Sequence, residues 1–188
     1  ISVLPRGNTE IGDECIIGMN SSITNSKIGN FTEVKISTII DSAVGENTTV
    51  GPYAYLRPNS NVGNHVKIGD FVEVKNANIG DYSKASHLSY IGDADVGKDV
   101  NIGCGVVFVN YDGKNKFRSK VEDGAFIGSN SNLVAPVHVK HKGYIATGST
   151  ITDDVPDGAL AIARQRHVVK EGWVAKKEAR DTKKENNK

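Results

Sequence analysis

The chain has 188 residues, with 23 Lys plus Arg against 22 Asp plus Glu and a formal net charge of +1. That length suits one domain with a tail, and a balanced charge carries no bulk signal for a nucleic-acid or membrane partner. No apolar run approaches the length of a membrane span, and the opening ISVLPRGNTE lacks the pattern of a signal peptide, so a cytoplasmic protein is expected.

From the first residues onward an Ile-Gly or Val-Gly pair recurs at steps of six, or of six slipped by one: Ile11, Ile17, Ile28, Val44, Val50, Val62, Ile68, Ile79, Ile91, Val96, Ile102 and Ile127. Such a period predicts a parallel β-helix in which short strands and turns stack into one solenoid. Few aromatics and many glycines and β-branched residues suit a narrow prism filled by Ile and Val. Ile11 already reads as an ordinary rung, where a terminal repeat normally carries a cap, so a preceding segment is expected. Cys15 and Cys104 are expected to be reduced thiols.

Three inward residues make one turn of a triangular coil of about 18 residues. Leu56, Val62 and Ile68 form one turn; Val74, Ile79 and Ala85 the next; then Ile91, Val96 and Ile102. Counting outward from these rungs stacks Arg57 under Lys75 and Glu73 under Tyr90. It also puts Asp70, His87 and Cys104 in one column, with Asn101 at the lip of the same face. Adjacent coils lie about 4.8 Å apart. The count therefore predicts that Arg57, Glu73, Lys75, His87, Tyr90, Asn101 and Cys104 converge on one outward patch beside one corner. Two stacked cations are costly unless an anion lies between them, which points to a phosphate group. Histidine is the side chain suited to accept a proton near neutral pH.

After Phe108 the rhythm breaks, and the next good inward positions are Val121 and Ile127. The intervening NYDGKNKFRSK (110–120) is polar and basic, and long loops leaving regular scaffolds usually carry function. Its Lys114, Lys116, Arg118 and Lys120 suggest an anionic ligand or a neighbouring subunit. His138 and His141 flank the inward Val139 and face out, without the third ligand that a zinc site needs, so no metal site is expected. The coil is expected to occupy residues 1–157, with the inserted loop at 110–120. Residues 158–188 form a C-terminal arm and charged tail, the last stretch of it frayed helix or disordered.

Residues 50–173 resemble the acetyltransferase domain of the bifunctional GlmU family, which makes UDP-N-acetylglucosamine. The segments that carry the resemblance are LRP (56–58), GDFVEVK (69–75), SKASHLSYIGDADVG (83–97), NIGCG (101–105), VNYDGKNKF (109–117), IGSNSNLVAPV (127–137) and ALAIARQ (159–165). The hexapeptides alone say only acyltransferase-like β-helix; NYDGKNK together with KASHLSYIGDA is specific. In that family a uridyltransferase domain normally comes first, and residues 1–49 fit the family's first coils.

The resemblance implies an all-β, left-handed parallel β-helix, assembled as a homotrimer with active sites between subunits and the 110–120 loop reaching an adjacent coil. It implies acetyl transfer from acetyl-CoA to the 2-amino group of glucosamine 1-phosphate, with no metal required. His87 would be the general base. Arg57, Lys75 and Lys116 would hold the phosphate or other anionic groups, Tyr90 and Asn101 the sugar, and Glu73 would steady the amine or His87. The backbone N–H of Cys104 would meet the thioester oxygen, and Asn110, Tyr111, Ser129, Thr147 and Arg164 would line the acetyl-CoA site. Cys104 and Thr147 stand where Ala is common in that family. The alternatives are an acyltransferase with another amino-sugar acceptor, a zinc hydratase on the same coil, and a non-catalytic β-helix scaffold.

Overall fold

The computed structural model describes residues 4–185. It is the expected left-handed parallel β-helix, a solenoid of about 9 turns followed by one helix, Trp173–Glu185. Every strand-to-strand ladder is parallel and joins one coil to the next. One ladder climbs from Leu4–Arg6 through Ser22–Thr24 and Thr38–Ile40 to Tyr55–Leu56 and Glu73–Val74. The inward residues form a single apolar column set. Ile23, Ile39, Leu56, Val74, Ile91, Phe108, Leu133 and Ile151 stack on one face, all at most 5% exposed. Val121, the rung expected after the interruption, is 1% exposed and lies in register with Val96 and Val139. The last rung of the ladder is Leu160–Ala161.

A triangular coil must reverse direction within two or three residues, and at most of its corners it does so by placing a residue at positive φ. Asn59 (63°), Asp93 (48°) and Asp99 (53°) are types that tolerate this region; Phe71 (57°) and Leu88 (32°) are not. Buried Ser and Thr hydroxyls brace the corners by donating to backbone carbonyls of the same or the next coil. Ser60 and Ser42 both donate to the carbonyl of Arg57, at 2.7 and 2.9 Å, and Ser89 donates to those of His87 and Gly103 at 2.9 and 3.1 Å.

Two long strands, Lys67–Ile79 and Lys84–Val96, run in continuous register around their corners. Between them they carry Asp70, Glu73, Lys75, His87, Tyr90, Asp93 and Asp95. Such continuous pairing holds side-chain bases more firmly than isolated two-residue strands do. The charged tail carries the helix Trp173–Glu185. Among the described residues no helix is long and apolar enough to cross a membrane.

Candidate active site

The in-register pairs Asp70↔His87 and Glu73↔Tyr90 stand as counted. Arg57 follows Leu56 and Lys75 follows Val74, the two rungs being paired, so the two cations are stacked as expected. The corner at Phe71 and Leu88 divides the expected patch. His87 and Cys104 end one face just before that corner. Glu73 and Tyr90 lie beyond it on the next face, with Arg57 and Lys75 at the far edge of that face. From His87 to Gly92, the register partner of Lys75, is five residues, or about 16 Å of extended chain at most. Asn101 lies on the face of His87 and Cys104, paired with Lys84 and Phe126, across the corner from Tyr90.

At the cation edge a cleft of about 360 Å³ is lined by Arg57, Pro58, Asn59, Lys75, Asn76, Asp93 and Lys116. Each of the stacked cations already has one anion from the protein. Arg57 Nη1 meets Glu73 Oε1 at 2.8 Å, and Lys75 Nζ meets Asp93 Oδ2 at 3.2 Å. Glu73 hydrogen bonding holds the Arg57 guanidinium even further into its charged form. Glu73 thus braces Arg57, not His87: a corner separates it from His87, while Arg57 comes up from the coil below.

Asp93 is the hub that the sequence reading missed. Its carboxylate is 9% exposed and accepts from Lys75, from Asn76 Nδ2 at 2.6 Å and from Asn110 Nδ2. Burial alone would raise its pKa. The hydrogen bonds from Asn76, Asn110 and Lys75 together outweigh burial and hold it below the ordinary carboxylate value. Asn110 is consequently buried and turned inward, with a further 3.4 Å contact to the Tyr90 hydroxyl. Its amide donors are taken up by Asp93 and Tyr90. Gly92 makes room for this arrangement, since a Cβ there would lie 2.4 Å from the Tyr90 hydroxyl oxygen.

The inserted loop leaves the coil at Asn110 and closes on itself. Tyr111 bridges Lys116, the Tyr111 hydroxyl donates to Gly113 O at 2.6 Å, and Asp112 accepts from the N–H groups of Lys114 and Asn115. Its return limb is pinned to its own coil. The Arg118 guanidinium grips both Asp95 oxygens at 2.6 Å and donates to the carbonyls of Asn76 and Ala94 at 2.8 and 2.9 Å. That grip brings Lys116 to the same chain's cation cleft. Among the described residues Lys116 makes no ion pair.

Across the Leu88 corner His87 is exposed, and its Nδ1 sits 2.7 Å from Asp70 Oδ1. The His87 contact holds Asp70 below the usual carboxylate range. Above His87 the column continues through Cys104, Ser129 and Thr147, because Ile102, Ile127 and Ile145 are paired rungs two residues earlier. Three coil steps take it about 14 Å up the solenoid. Glycine precedes both Cys104 and Ser129. A Cβ on Gly103 would lie 2.6 Å from Ser129 N, and one on Gly128 2.5 Å from Thr147 N, so this edge has no room for larger residues. Arg164 is exposed above Gly148, its Cδ 3.7 Å from where a Cβ there would lie. Cys15 and Cys104 are free thiols, Cys104 exposed. His138 is engaged by Glu122 at 2.7 Å.

Two family descriptions match the chain: bacterial transferase hexapeptide (six repeats) over residues 41–76, and hexapeptide repeat of succinyl-transferase over 9–25 and 119–153. The chain is 79% identical over 179 residues to the bifunctional protein GlmU of Clostridioides difficile, covering 95% of this chain and 39% of that protein. The protein of the same description from Alkaliphilus oremlandii is 70% identical over 175 residues, 93% of this chain and 38% of that one. The chain thus spans about two fifths of the length of these relatives. Among solved structures, LpxA from Acinetobacter baumannii superposes with a TM-score of 0.53 at 13% identity, over 94% of this chain and 75% of that one, a likeness of fold alone.

Proposed function

The chain belongs to the GlmU family as its C-terminal acetyltransferase part, and from that premise we propose that it transfers the acetyl group of acetyl-CoA to the 2-amino group of glucosamine 1-phosphate. The observation that supports this reading is the cation cleft on the face that adjoins, across one corner, an exposed histidine. Arg57, Lys75 and Lys116 surround one cavity, and the pairings of Arg57 with Glu73 and Lys75 with Asp93 leave Lys116 as uncompensated charge. A sugar phosphate placed there finds a fork donor in Arg57 and two ammonium groups.

Attack of an amine on a thioester builds positive charge on nitrogen and negative charge on the carbonyl oxygen. His87 Nε2 accepts the proton released by the amine as the C–N bond forms. The N–H of Cys104, one coil above, donates to the oxyanion, and the C–S bond then breaks to release the CoA thiol. A placed base contributes about 10²–10⁴-fold and one oxyanion donor about 10²–10³-fold. No acyl-enzyme is needed. The column Cys104, Ser129, Thr147 offers the CoA arm a track along the coil, with Arg164 near its upper end for the phosphates and Tyr111 at the loop.

In a single chain the base lies just before a corner and the cations at the far edge of the next face. A homotrimer that lays a neighbouring coil against that face would enclose the sugar between them, with Tyr90 and Asn101 on its flanks. The test is release of CoA thiol with acetyl-CoA and glucosamine 1-phosphate. A second reading, a phosphate-free amino-sugar acceptor, is favoured by the internal pairing of Arg57 and Lys75. Equal turnover of glucosamine and glucosamine 1-phosphate would establish it. No turnover of either would overturn both readings.

A further inference from the structure

We propose that Asp70 is the positioning residue of His87: its carboxylate holds the ring by Nδ1, fixes the tautomer and leaves the Nε2 lone pair as the base. The proposal rests on the acetyl-transfer reading for its catalytic consequence, but its structural content stands on the geometry alone.

Asp70 lies directly below His87 in the ladder, with Oδ1 at 2.7 Å from Nδ1. An ionised carboxylate only accepts hydrogen bonds, so the nitrogen it touches must carry the proton. In a neutral imidazole that makes the other nitrogen an acceptor. Asp70 is ionised at neutral pH, and its carboxyl is held in that form chiefly by this contact. Nε2 points away from Asp70 and makes no hydrogen bond among the described residues. When Nε2 takes the amine proton, the imidazolium forms beside a fixed negative charge instead of in bare solvent.

Among the described residues no other hydrogen bond reaches the ring. The His87 side chain is 59% exposed, and its neighbours are Leu88 at the corner and Cys104 above. Lys67, which acts electrostatically on Asp70, lies on the same strand as Asp70. Glu73, the carboxylate that the sequence pointed to for this task, is occupied by Arg57. The backbones beneath both members are fixed by the Lys67–Ile79 and Lys84–Val96 register, and the Ser89 hydroxyl anchors the His87 carbonyl. An exposed histidine on a fixed base and a carboxylate in register beneath it is an arrangement that orients a ring.

The experiment compares wild type with Asp70→Asn and Asp70→Ala. Asparagine keeps the shape, but its amide can donate to Nδ1, which drives the proton onto Nε2. The expected result is a kcat lower by roughly ten- to hundredfold, less than the ~10⁴ of a buried triad because this pair is half exposed, with KM for both substrates within about twofold. Ring 15N spectra of histidine-labelled protein, with His87 assigned by its loss in His87→Ala, are expected to show the Nδ1–H tautomer in wild type and its loss in both variants. Unchanged circular dichroism confirms that the coil persists. An Nε2–H tautomer in resting wild type, or variants that retain both tautomer and kcat, overturns the proposal. Wild type that fails to acetylate glucosamine 1-phosphate overturns the functional reading instead, while the tautomer still decides what Asp70 does.

Discussion

Replacing Asp93 by alanine tests the hub on which both the cation cleft and the loop depend. The carboxylate receives donors from Lys75, Asn76 and Asn110. Hydrogen bonds to a charged group contribute about 1.5–3 kcal/mol each, and removal of one partner of a buried pair costs about 3–5 kcal/mol. The three do not add. Lys75 keeps 18% of its side chain in water and is rehydrated in part, whereas Asn110 is 7% exposed and would keep unpaired donors. The expected loss at pH 7 is therefore about 3 kcal/mol, at the lower end of that range. Asp93 titrates below its unfolded value when folded. Its contribution is thus complete above the unfolded pKa of about 3.9 and disappears as pH falls through the lower folded value. Urea unfolding followed by circular dichroism should show wild type and variant well separated at pH 7, with the gap narrowing below about pH 4. Because repeat arrays can unfold in parts, hydrogen exchange at the 90–110 backbone supplies the local measure. A variant as stable as wild type at pH 7, or a gap that widens on acidification, refutes the hub.

On the proposed mechanism His87→Ala lowers acetyl transfer about 10²–10⁴-fold while circular dichroism is unchanged; loss of the coil would make the residue structural. Cys104→Ala keeps most of the activity, because the expected donor is the backbone N–H, and a thousandfold fall would revive a covalent acyl-enzyme. Arg118→Ala removes the side chain that ties the return limb of the loop to both Asp95 and the coil carbonyls. Limited proteolysis within 110–118 should then speed up severalfold with little change in thermal unfolding, and an unchanged cleavage rate would mean the loop is held by its own turns.

Counting residues reached some interactions and not others for reasons that lie in the solenoid's geometry. Inward rungs are legible because alternation along a short strand forces every second side chain into the prism, so even Val121 across the interruption could be placed. The column of Asp70, His87 and Cys104 is legible for the same reason, since parallel stacking repeats a position directly above itself. What counting does not supply is the choice among neighbours. Glu73 and His87 are on successive coils, but the positive-φ residues Phe71 and Leu88 lie between their columns and turn the chain. The in-register partner, Asp70, meets the histidine instead.

Corners are also where alternation fails. A residue in the left-handed region aims its side chain off the strand pattern, so Asp93, at φ 48°, is 6% exposed at a position that counting treats as an outward corner. Asn110 is drawn inward by that same carboxylate, and Arg118 is pinned by Asp95 two residues further on. The loop carries no period of its own, so its path is set by two aspartates, one hidden by a corner and the other on a face that drew no attention. A hexapeptide sequence thus exposes its faces to counting and conceals its corners. In this chain the contacts that organise the cation edge of the candidate site are made at a corner.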